Sequence, residues 1–133
     1  MRHPSIPIHQ EWRQRVIRRL LRETMERGDI IEDIHQTLKS LLTHADEILS
    51  DTRRDYIEIG TEPLERDRSR SRVEAFHASA TEILASLRQS IRALGGEDAQ
   101  QLLRQVGKTE NVIGQVHDLC MLLIREASEL LIE

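Results

Sequence analysis

Residues Ala99, Leu102, Val106, Thr109, Ile113, Val116, Cys120, Leu123, Ala127 and Leu130 follow one another at alternating steps of three and four. All but Thr109 are apolar or cysteine. This spacing is a heptad seam, the sequence form of a long helix laid against other helices. No proline interrupts residues 97–133, and at about 1.5 Å per residue a helix of that length would reach roughly 55 Å. So long a helix needs partners of similar length, and the rest of the chain has to supply them or leave part of the seam for a second copy.

The remainder offers suitable partners. Residues 8–27 carry Ile8, Trp12, Val16, Ile17, Leu20, Leu21 and Met25 on one helical stripe. Gly28 reads as a stop after that short helix, and Asp29 with Glu32 reads as a capping box for the next. That second helix has its own seam, Ile31, Ile34, Leu38, Leu41, Ala45 and Ile48, which can run on through Thr52, Tyr56 and Ile59 to Gly60. Its weak point is the polar run 50–54. A third seam, Val73, Phe76, Ala80, Ile83, Leu87, Ile91 and Leu94, ends at Gly95-Gly96. Between the second and third seams, residues 65–72 read ERDRSRSR, either an exposed helical turn or a loop.

These patterns predict an all-α fold: one domain over 1–133, an antiparallel bundle of four helices, one short and three long, with a heptad-patterned aliphatic core. Residues 1–7 form an irregular lead and 60–72 a polar connector that is free to move. Composition agrees. Leu and Ile together supply 31 residues while aromatics number only three, which leans away from sheet. The formal charge of −4 argues against a nucleic-acid binder by bulk electrostatics. The longest apolar run, 119–124, is far below the roughly 20 residues a membrane span needs. One cysteine permits no internal disulfide. The expectation is a cytoplasmic protein.

Chemistry-bearing motifs are sparse. Glu32/His35 and Glu74/His77 have the i, i+3 spacing by which ferritin-like di-metal bundles pair a carboxylate with an imidazole. Each pair stands one position past its apolar seam, about 100° away from the core line. The stretch HQTLKS from His35 invites comparison with histidine phosphotransfer domains, whose motif is His-x-Leu-Lys-Gly. Leu38 and Lys39 each stand one residue further from His35, and no glycine follows. Arg72-x4-His77 fits a loose pattern found in helical ribonucleases, with Val73 where a polar residue commonly stands. His117 and Cys120 are three apart, two ligands where a structural metal site usually has four. Ser69 and Ser71 lie among arginines, the setting of a basophilic kinase site.

The expected function is therefore a protein–protein interaction module: an adaptor, a chaperone-like partner or a subunit of a larger complex, with no cofactor and no metal. Its candidate binding residues are Arg15, Arg18 and Arg22 on the first helix, and Gly107 and Gly114, which flank the last seam as a smooth strip. The basic first helix, with Trp12, also suits a membrane surface or nucleic acid. A first helix covering only half of the last one suggests a homodimer. The alternative is a helical enzyme or phosphocarrier using His35 or His77, or a di-metal bundle.

Overall fold

A computed structural model describes residues 11–14, 27–58 and 63–130, with side chains inside these ranges except at 57–58, 63–65 and 127–130. The fold is the expected all-α bundle of four helices, three of them long. The first, α1, is described over residues 11–14. The long helices are α2 (Arg27–Glu58), α3 (Pro63–Leu94) and α4 (Gly96–Leu130).

The seams lie where their spacing puts them. Ile34, Leu41, Ala80, Leu87, Ile91, Val106 and Cys120 are sealed from solvent, and Leu38, Val73, Phe76, Ile83, Leu102, Ile113 and Val116 nearly so. The α4 seam is covered within the chain over its described length, because α4 packs on both α2 and α3 at once. The described part of this seam therefore has its cover within the chain. Near its end the seam changes step: Ile124 is buried and Leu123 only half-buried. The Ala127 and Leu130 side chains lie outside the described residues.

Directions follow from cross-helix contacts. Arg27 of α2 meets the end of α3 and the start of α4, whereas Asp55 of α2 meets Ser69 at the start of α3. Hence α2 and α3 are antiparallel. The tight Gly95 junction makes α3 and α4 antiparallel as well, so α2 and α4 run parallel. On the opposite side of the α2–α3 pair, Trp12 of α1 packs against the core with its ring 5.4 Å from His44, and Arg13 pairs with Glu82.

Two local features depart from the sequence reading, the start of α2 and residues 63–72. Gly28 does not separate two helices; it sits in the first turn of α2, where its N–H needs no intrahelical partner. Arg27, expected at the end of helix one, begins α2 instead. The polar run 50–54 is continuous helix, as the run of the second seam through Thr52 and Tyr56 expects. Residues 63–72 are helical too, held by a cross-helix network that no apolar pattern reveals. Ser69, only 3% exposed, donates to Asp55 Oδ2 at 2.8 Å, and Arg72 donates to the same oxygen at 2.7 Å.

Candidate functional site

The two grooves beside α4 differ in chemistry. On its α3 side, Gly107, Glu110, Gly114, His117 and Met121 form one row of three- and four-residue steps. Glu110 takes a bidentate pair from Arg88 of α3, at 2.8 and 3.0 Å. This bond pulls the Glu110 carboxyl below its ordinary value and raises Arg88. His117 lies against His77 of α3, ring centroids 4.3 Å apart and planes tilted by 35°. A Cβ added at Gly107 or Gly114 would meet nothing within 4 Å. Both glycines are half-buried, and a small side chain at either would have room.

On the α2 side the groove is mixed at its start and apolar further along. Ile31 and His35 of α2 and Asp98, Gln101, Leu102 and Gln105 of α4 line a small concavity. Seven-residue steps carry both walls onward: His35, Leu42, Leu49 on α2, and Gln105, Val112, Leu119 on α4. Because the helices are parallel, the two rows stay level. Further along, Thr52 stands beside the Cys120 thiol, which burial pushes up. Leu42, Val112 and Leu119 are 39%, 41% and 45% exposed, and Leu49 is half-buried. Large apolar side chains clustered at this exposure mark an interaction surface more often than scattered ones do.

The motif residues fall apart when placed. Glu32 accepts from Gln36 within its own helix, and His35 faces the α2–α4 groove. His77 faces α4 at the level of His117, about 20 Å further along the bundle at the helical rise. The two Glu-x-x-His pairs therefore do not meet, and no group of three or more metal donors gathers among the described residues. Arg72 turns to Asp55 on α2 while His77 turns to α4, so that motif does not converge either. His117 and Cys120 also separate, Cys120 being fully buried and free. Ser69 is buried and bonded, which removes it as a kinase target; Ser71 is exposed. Arg15, Arg18 and Arg22 lie outside the described residues. Trp12 is accounted for by its packing on the core.

Sequence reasoning missed two arrangements. The Leu42–Val112 strip needs the parallel register of α2 and α4, and the His77–His117 contact needs the antiparallel register of α3 and α4. Neither register is written in one helix. No family model, curated protein or solved structure matches the chain significantly.

Proposed function

We propose that the protein is an interaction module that docks a partner helix in the α2–α4 groove. The observation that carries this reading is the level, exposed strip Leu42, Leu49, Val112 and Leu119. Two parallel helices presenting apolar side chains one heptad apart form a seat for the apolar face of a third helix. The rim carries Lys39, Asp46, Arg53 and Lys108, charges of both signs that would set the partner's register. This moves the docking face from the Gly107/Gly114 flank to the other side of α4. A second copy of the chain is one occupant of such a groove, and a homodimer would use it in place of the covered seam. Among the described residues no helix is long and apolar enough to cross a membrane. A reduced, buried Cys120 fits a cytoplasmic setting.

Replacing exposed apolar side chains should not harm the fold, and this separates the reading from its enzymatic rival. Val112→Glu with Leu119→Glu should keep the thermal midpoint within a few degrees, since exposed positions contribute within about 0.5 kcal/mol, yet abolish function in the cell. His77→Ala, on the α3 side of α4 and away from the groove, should keep function. The reverse pattern would establish a helical enzyme or phosphocarrier.

A further inference from the structure

The His77–His117 pair lies outside the docking groove and is independent of it. Each imidazole comes from a different helix, both rings are only half-buried, and solvent reaches them. Asp118 Oδ1 sits 3.5 Å from His117 Nδ1. This exposed carboxylate places negative charge beside the pair, which favours a bound cation. Two imidazoles on one tetrahedral ion, with metal–nitrogen bonds of about 2.1 Å, hold their ring centroids about 5 Å apart. The observed 4.3 Å is within a small side-chain rotation of that value.

We propose that His77 and His117 form a two-imidazole site for a borderline divalent metal ion of the Zn²⁺ class, clamping α3 to α4. Imidazole nitrogen selects Zn²⁺, Cu²⁺ and Ni²⁺ over Mg²⁺ and Ca²⁺. Water completes the coordination, so the ion is exchangeable and its binding competes with protons. Burial and the facing His117 lower the His77 pKa, against a smaller opposing pull from Asp118. The other charged groups around the pair are Glu74, exposed one turn away on α3, and Arg70 of α3 with Arg125 of α4, which line a concavity together with Asp118. Being bound by the folded pair alone, the metal would add to stability by linkage.

The test is titration of chelator-treated full-length protein with zinc chloride, followed by calorimetry and thermal melting. The site predicts saturable 1:1 binding, a raised melting temperature, and at least a tenfold loss of affinity in either His77→Gln or His117→Gln. In the unmutated protein, the imidazole resonances of these two residues should be the first perturbed by Zn²⁺, a reading that does not depend on any variant folding. Mg²⁺ should do neither. No saturable binding below millimolar Zn²⁺ would overturn the site. So would undiminished binding in the double variant, which would place the ion elsewhere on the chain.

Discussion

His77 shows how one side chain converts packing into a measurable pH response. Its folded pKa lies below the ordinary 6.5 because burial and His117 disfavour its charge. The unfolded chain, lacking both, takes up the proton first. The stability this contributes is complete above about pH 6.5 and is lost as pH falls through that value toward the folded pKa. Without added metal, the urea midpoint should fall between pH 7 and pH 5, and His77→Gln should flatten the fall. A midpoint equally pH-dependent in the variant would assign the effect to other groups. Glu110 works in the opposite region. Its depressed pKa contributes stability above the ordinary carboxylate range that is lost in more acid solution. The exposed Arg88–Glu110 pair itself adds roughly 0.5–1 kcal/mol.

The helices are joined by a compact junction centred on Arg27. Its Nη1 donates to Leu94 O and its Nη2 to Gly95 O, both at 2.8 Å, while Nη2 lies 3.4 Å from Asp98 Oδ2. One guanidinium thus caps the carbonyl end of α3 and touches the first turn of α4, placing positive charge where the α3 dipole is negative. Gly95 N–H donates back to Ile91 O at 3.1 Å, and Gly95 and Gly96 have φ of +67° and +84°, a region favouring glycine. Arg27→Ala should lower stability by about 1 kcal/mol, the loss being moderated by solvent. Gly95→Ala should cost about 1–2 kcal/mol through backbone strain. Denaturant melts measure both, and a larger loss for an Arg53→Ala control would contradict the assignment.

The same junction shows what a sequence can and cannot carry. Heptad spacing located nearly every core residue from Ile34 to Cys120, because period alone decides which side of a helix is buried. It places the start of α2 two residues late, at Asp29, because a glycine followed by an acidic cap is also the pattern of one helix stopping and another starting. Residues 65–72 offer no apolar signal; Ser69 and Arg72 hold this stretch through polar contacts with Asp55, 14 and 17 residues away in sequence. The apolar groove was invisible because Leu42, Val112 and Leu119, taken on their own helices, are ordinary surface residues.

For the molecule as a whole, the consequence is a division of labour among faces. Three long helices satisfy their own seams, so the core asks for no second chain. On the α1 side Trp12 packs on the core, the α3–α4 side is tied by Arg88–Glu110, and the α2–α4 side presents the partly exposed apolar strip of Leu42, Val112 and Leu119. That strip as a docking face is the central claim, and site-specific photo-crosslinking in the cell tests it most directly. Crosslinkers placed singly at positions 42, 112 and 119 should all capture one and the same protein, whose mass distinguishes a separate partner from a second copy. A crosslinker at Gln89, exposed on α3, should not. Crosslinks of equal yield from position 89, or none from the three groove positions, would contradict the account.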